Sequence, residues 1–467
     1  MDIFFYNTLT RKKDKFEPLN SSEIRIYSCG PTVYKDATIG NMRTNIFQDV
    51  LRRTLRYNGY KIKHVMNITD VGHLVSDGDE GEDKMLKSAR EEHKTPLQIA
   101  EHYTKLFFDD LKSLNVETPE IVCKATDHIK EMLEYVEKLM ENGYAYETST
   151  AIYFDISKLD KYPILSNLDI ENQKAGARVE VDPEKRNPHD FALWIKAPEN
   201  HLMKWDSPWG PSYPGWHIEC SAMGQKYLGD QFDIHTGGID LIPTHHENEI
   251  AQSKGKCGKI PARYWLHGEY LLINGGKMSK SLGNVYLVKD IKERGYDPIV
   301  YKLFSYSCHY RNKLNFTWEG IDAASKSLER LRNSYQINLN GTGELTAEDK
   351  EKLAQIEENF HKAINDDLNM PLAMSFVWEA ARFEKKSPEV AKLLAQFDTV
   401  LGIKIDAVNS EKEEIPQEIL ELVEQRKTAR ESKDWAKSDE LRDLINQKGY
   451  SIKDTKNGVE ISKRTGE

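Results

Sequence analysis

The sequence predicts an α/β protein: a body built on a parallel sheet, a helical region after it, and a small α+β module at the C-terminal end. Three observations carry this. Residues 24–68 read as strand, helix, strand, a unit that normally joins a parallel sheet by a right-handed crossover. A second α/β block spans about 231–287, with apolar and aromatic strands around 264–273. After about Asn312 the apolar spacing turns helical.

Each element has a local reason. Residues 24–29 alternate apolar and polar side chains and then meet Gly30-Pro31, a strand that ends in a turn. From Asn41, Met42, Ile46 and Val50, with Phe47, Leu51 and Leu55 beside them, keep helical spacing until Asn58-Gly59 stops it. Residues 60–68 form the next strand. Ligands in such sheets sit at the carboxyl ends of the strands, and Cys29 falls there. The segment at about 115–230 combines helical patterns with loops rich in Pro and Trp. Helices follow at 353–364, 371–383 and 388–401, an acidic linker at 406–414, helices at 417–431 and about 434–447, and short strands near Tyr450 and Val459.

Composition narrows the class. Of the 467 residues, 39% are hydrophobic and 30% charged, too apolar for a disordered chain. No apolar run approaches the ~20 residues of a membrane span, and the first residues lack the basic start of a secretory signal. Five scattered cysteines (29, 123, 220, 257 and 308) read as reduced thiols, so the cytoplasm is the expected compartment. Cys123, Cys257 and Cys308 have no local partner and read as structural. A net charge of −10 argues against a nucleic-acid coat, while leaving room for an enzyme that meets RNA through a local patch.

The candidate chemistry is dispersed. His245 and Glu249 are four apart and share one helical face. With Cys29 and Cys220 they would complete a tetrahedral zinc shell; by spacing alone, two distant cysteines serve equally well as buried apolar residues. The loop from Gly275 to Asn284 carries Lys277, Ser279, Lys280 and Ser281 between glycines, which suits a mobile clamp on phosphate and equally a solvated basic turn. It is not a Walker loop. Thr38-Ile39-Gly40-Asn41 opens the first long helix, either as a phosphate-binding helix end or as a plain N-cap. The acidic run from Asp77 to Asp83 lacks the glycine of a calcium loop, because Glu82 stands there, and reads as solvated.

Together these segments resemble the cysteinyl-tRNA synthetase family of class I aminoacyl-tRNA synthetases. The resemblance rests on Cys29-Gly30-Pro31-Thr32-Val33-Tyr34, Asn67-Ile68-Thr69-Asp70, Trp216-His217-Ile218-Glu219-Cys220, Asp233-Ile234-His235, His245-His246-Glu247-Asn248-Glu249 and Lys277-Met278-Ser279-Lys280-Ser281. It continues, less closely, through Asp366-Asp367-Leu368-Asn369 and residues 425–454. Three departures stand out: Thr38 where the family has histidine, Thr236 where glycine is usual, and Pro243-Thr244 where Phe-Pro is usual.

The resemblance implies a Rossmann-like catalytic domain at 1–312 with an insertion at about 115–230, a helical bundle at 313–403, and a linker with a small anticodon-binding module at 404–467. It implies one zinc ion on Cys29, Cys220, His245 and Glu249, which selects the substrate thiolate, and Mg2+ accompanying ATP. Thr38, Asn41, Lys277 and Lys280 would be catalytic. Thr38, Gly40, Asn41, Gly238, Asp240 and Lys280 would bind ATP, and Cys29, Thr69, Trp216 and His235 would line a cysteine pocket. Arg430, Trp435, Asp439 and Asp454 would read the anticodon; on pattern alone that segment is a solvated helical pair with Trp435 as its core anchor. The implied reaction attaches L-cysteine to its tRNA through an adenylate, carried out by a monomer. A cysteine ligase acting on an amino sugar and a non-catalytic zinc and RNA module are the competing readings.

Overall fold

The computed structural model describes residues 1–72, 84–166, 182–199, 201–279, 282–407, 416–432, 434–455 and 458–463. The acidic run 77–83, Lys280, Ser281 and most of the 406–414 stretch lie outside the described residues.

The central strand, β1 (Ile24–Ser28), is buried almost throughout, as a strand covered on both faces must be. Helix α1 (Ile39–Tyr57) leads from it to β2 (Ile62–Ile68), and β3 (Ile121–Lys124) pairs beyond that. On the other side lie β4 (Phe232–Gly238) and β5 (Ala262–Gly268). The order is β5-β4-β1-β2-β3, and every pairing is parallel. Between β1 and β4 the chain switches from one half of the sheet to the other, so the crevice opens at their carboxyl ends. Helices α2 (Trp216–Leu228) and α3 (Glu247–Cys257) flank that crevice.

Helix α1 starts at Ile39, before the apolar periodicity begins, because Thr38 and Asn41 close a capping box around its first turn. It ends at Asn58 with Gly59 at φ +86°. The insertion holds a four-stranded antiparallel sheet (Ala145–Glu147, Ala151–Phe154, Phe191–Lys196 and Ser212–Pro214) that helical and loop patterns did not suggest. An N-terminal hairpin, Phe4–Asn7 with Lys12–Lys15, was also unannounced. Most of these strands have three or four residues, too few to display a period of two.

Helices Trp318–Leu339, Ala347–Asn365, Met370–Ala381 and Pro388–Leu401 follow. The chain divides into two compact units, one of Met1–Val288 with Pro298–Ile405, the other of Lys289–Asp297 with Asp406–Glu467. In the second, helices Gln417–Glu431 and Trp435–Gln447 share a core of Ile419, Leu422, Leu441 and Ile445, and a hairpin closes the module. Trp435 is 59% exposed and is not the core anchor that the pattern suggested. No helix among the described residues is long and apolar enough to cross a membrane.

A buried ion cluster ties α1 to the helical segment Ile299–Ser305. Asp49 Oδ2 accepts from Lys302 Nζ at 2.6 Å and Arg53 Nε at 2.7 Å, while Oδ1 accepts the Glu117 amide at 3.0 Å. Burial alone would raise the Asp49 carboxyl; the Lys302 and Arg53 cations outweigh it and hold the group below the ordinary carboxylate range. Asp49→Ala would strand Lys302, which has no exposed surface. Breaking one side of a buried pair costs about 3–5 kcal/mol, so the urea midpoint of this variant should fall accordingly without a change in slope.

Candidate metal centre and nucleotide cleft

Cys29 emerges at the end of β1, Cys220 comes from α2, and a tight turn at Ile242–His246 delivers His245 and Glu249 at the start of α3. Cys29 Sγ lies 3.9 Å from Cys220 Sγ and 3.9 Å from Glu249 Oε1. His245 Nε2 lies 3.4 Å from Cys220 Sγ and 3.1 Å from Glu249 Oε1. These four of the six edges bracket those of a zinc tetrahedron, for which ligand bonds of ~2.0–2.3 Å imply separations of about 3.3–3.8 Å, and all four donor atoms lie within 4.8 Å of one another. Burial pushes both the Cys29 and the Cys220 thiols up, so they ionise only beside a cation. The donor set therefore fits a divalent ion with mixed sulfur, nitrogen and oxygen preference.

The surroundings orient these ligands. His245 Nδ1 lies 3.3 Å from His217 Nδ1, and His217 Nε2 lies 3.1 Å from Asn248 Nδ2. Trp216 packs against the His245 ring at 4.5 Å between centroids. His235 Nε2 lies 2.9 Å from Glu249 Oε2, and its ring stacks on Trp265. His235 is wholly buried behind Glu249 rather than on the cleft wall. A second convergent set, Cys29, His235, His246 and Glu249, shares two ligands with the first. Burial, reinforced by the neighbouring histidines, pushes His246 well down, and burial takes His267 to about 3, so both rings are neutral.

A cleft of about 330 Å³ rises from this base. Cys29, Thr38, Asn41, Thr69, Trp216, Gly238 and Asp240 line it. The Thr69 hydroxyl donates to Glu219 Oε2 at 2.9 Å and accepts from Asn67 Nδ2 at 3.0 Å. At the far end, Thr38 and Asn41 are bonded to one another: the Thr38 hydroxyl and amide both donate to Asn41 Oδ1, at 2.8 and 2.9 Å. A side chain on Gly40 would come within 3.6 Å of Met278 in the lysine loop. Both flanks of that loop are anchored. Asn284 accepts from the Ser279 amide at 2.8 Å and donates to the Lys277 carbonyl at 3.1 Å, and the Ile39 amide donates to Tyr286 O at 2.9 Å. The Lys277 residue itself is exposed on a two-residue strand.

Arg430, Trp435 and Asp439 are exposed in the second unit, where Asp439 pairs with Arg442 at 3.2 Å. The Asp454 backbone lies on a strand, and its side chain is outside the described residues. Sequence reading missed Glu219, Asn67, His217, His246 and His267. The first four stand inside or beside quoted motifs, where their residue types were the available signal; His267 had none.

Residues 15–326 match the family described as tRNA synthetases class I (C) catalytic domain, and residues 412–461 match the cysteinyl-tRNA ligase anticodon binding domain. The chain belongs to the cysteinyl-tRNA ligase family. A cysteine–tRNA ligase of Treponema denticola is 46% identical over 97% of this chain and 98% of its own length. One from Thermus thermophilus is 42% identical, covering 98% of each. Among solved structures, Mycobacterium tuberculosis methionyl-tRNA synthetase in complex with methionyl-adenylate superposes with a TM-score of 0.57 at 15% identity, over 82% of this chain and 88% of that one. The fold is that of a class I synthetase.

Gly30 holds the family's turn open. A Cβ there would lie 1.7 Å from the Asn67 carbonyl oxygen, backbone that no rotamer change can move. Its amide also donates to Asn67 Oδ1 at 2.8 Å. Gly30→Ala should therefore cost at least the ~1–3 kcal/mol of ordinary overpacking, read as a lowered calorimetric melting temperature.

Proposed function

We propose that this chain activates L-cysteine with ATP and transfers it to the tRNA for cysteine. The observation that carries the reading is the convergence of Cys29, Cys220, His245 and Glu249 at the base of a class I nucleotide cleft. In the first step a carboxylate oxygen of cysteine attacks the α-phosphorus of ATP, and the bond to pyrophosphate breaks. In the second, a ribose hydroxyl of the terminal adenosine attacks the acyl carbonyl and AMP leaves. Neither step requires a covalent protein intermediate, so the chain contributes positioning and charge.

Cys29, Cys220, His245 and Glu249 would hold zinc. When bound, zinc supplies a Lewis acid that takes a thiolate and discriminates against a serine hydroxyl, beyond the ~10²-fold typical of a shaped apolar pocket. Thr69 and Trp216 would wall the amino acid, while His235 braces Glu249. The Thr38 hydroxyl is occupied in the helix cap, so phosphate charge, with its Mg2+, falls to the positive end of the α1 dipole, to Asn41 and to the lysine loop. Gly40, Gly238 and Asp240 would approach the nucleotide, and Lys280 the transferring phosphate. We assign catalysis to 1–312, a supporting helical bundle to 313–403 and anticodon reading to 404–467, where Arg430 would pair with a base edge and Trp435 stack on an unpaired base, with Asp439 and Asp454 as acceptors. A cytoplasmic monomer completes the reading.

Cysteine-dependent ATP–pyrophosphate exchange followed by tRNA charging tests it. Purified protein should carry about one zinc per chain by ligand count, and stripping it with a chelator should abolish exchange with cysteine; full activity without metal would overturn the assignment. Lys280→Ala should lower kcat for exchange by about 10²-fold or more with little change in the KM for cysteine. Truncation after Ile405 should leave exchange largely intact and raise the KM for tRNA steeply, with Arg430→Ala a milder version worth ~1–3 kcal/mol.

A further inference from the structure

Behind Cys29 runs a file of polar groups to which the reaction above assigns no task. Cys29 Sγ lies 3.3 Å from His246 Nε2, His246 Nδ1 lies 2.7 Å from His267 Nε2, and His267 Nδ1 lies 2.7 Å from Thr8 Oγ1. Both rings are buried, at 0% and 6% exposure. Thr8 sits in the turn that follows the first N-terminal strand, and its amide donates to Trp265 O at 2.9 Å, which seats the hydroxyl against β5.

The direction of these bonds follows from donor and acceptor counts. A neutral imidazole has one N–H and one bare nitrogen, and a thiolate has no proton to donate. With Cys29 ionised and the metal on Cys29, Cys220, His245 and Glu249, one direction alone matches every atom. The Thr8 hydroxyl donates to His267 Nδ1, His267 Nε2–H donates to His246 Nδ1, and His246 Nε2–H donates to the sulfur.

We propose that Thr8 and His267 are positioning residues for the Cys29 thiolate, fixing the tautomer and ring orientation of His246 so that its N–H is held on the sulfur. Retention of the metal then depends on a hydroxyl two rings away from the ligand it serves. The inference rests on the metal reading above. Outer partners of this kind commonly change metal affinity by 10–100-fold. Packing alone would predict otherwise: the His246 ring also contacts Trp265 and the His267 ring, and those contacts survive loss of the Thr8 hydroxyl.

The test compares zinc-loaded, full-length wild type with Thr8→Val, which keeps the shape and removes the donor, and Thr8→Ser, which restores it. Thr8→Val should lose zinc to a chromogenic chelator roughly ten- to a hundredfold faster. In cobalt-substituted protein its thiolate-to-cobalt charge-transfer band should shift, while Thr8→Ser behaves as wild type. Independently of any variant, ¹⁵N-histidine spectra of the zinc-loaded wild type should show His246 as the Nε2–H tautomer. A zinc-binding wild type with the Nδ1–H tautomer, or a Thr8→Val that keeps zinc and band unchanged, overturns the file alone. A wild type that binds no zinc overturns the metal reading and the file with it.

Discussion

Glu249 is only 3% exposed, and a carboxylate in that position needs a hydrogen-bond donor or a cation at each oxygen. His235 answers Oε2, while Oε1 faces His245 and, farther off, the Cys29 thiol. The demand propagates outward. The start of α3 is held by the neighbouring Glu247, whose carboxylate accepts the amides of Ile164, Leu165 and Ser166 at 2.5, 2.8 and 2.7 Å. Asn248 accepts from the Tyr162 hydroxyl at 2.6 Å. Two consecutive side chains, Glu247 and Asn248, thus fasten the insertion against the helix that carries the ligands.

The cleft combines a packed base with the lysine loop beside it. Its base is a dense network of rings and carboxylates on sheet ends and helix starts, the elements that hold geometry best. Beside it, the flanks of the lysine loop are bonded to α1 through Tyr286 and to each other through Asn284, Ser279 and Lys277. Such an arrangement fits a reaction in which charge moves at the phosphates while the side chain of the amino acid stays fixed. The Thr38 hydroxyl closes the helix cap, so the position contributes order rather than charge.

Legibility followed element length and register. The central β-α-β unit, the helices around 353–364, 371–383 and 388–401 and the closing hairpin could be read because apolar periodicity persisted over many residues or was cut by Asn-Gly and Pro. The 22-residue helix Trp318–Leu339 was anticipated only as part of a helical region. The short strands of the insertion escaped because their hydrogen-bond partners are remote: Ile152 pairs with Trp194 and Trp194 with Pro214. Trp435 shows the opposite error. A large ring near a helix start suggests a core anchor, yet Ile419, Leu422, Leu441 and Ile445 fill that core and leave it outside.

For the site, the sequence by itself determined the inventory: the residue types a metal and a phosphate need, the helical spacing of His245 and Glu249, and the family motifs that hold them. Local spacing is enough for that, because residues four apart on a helix must share a face. Only the tertiary structure decided which thiols meet that pair. Cys29 and Cys220 are 191 residues apart and approach because β1 and β4 are neighbours at the point where the sheet reverses its order. The same crossover put His246 against Cys29, β5 brought His267 behind it, and the N-terminal hairpin supplied Thr8. Contacts of this kind leave no periodic trace in the chain, since they are set by strand order rather than by spacing.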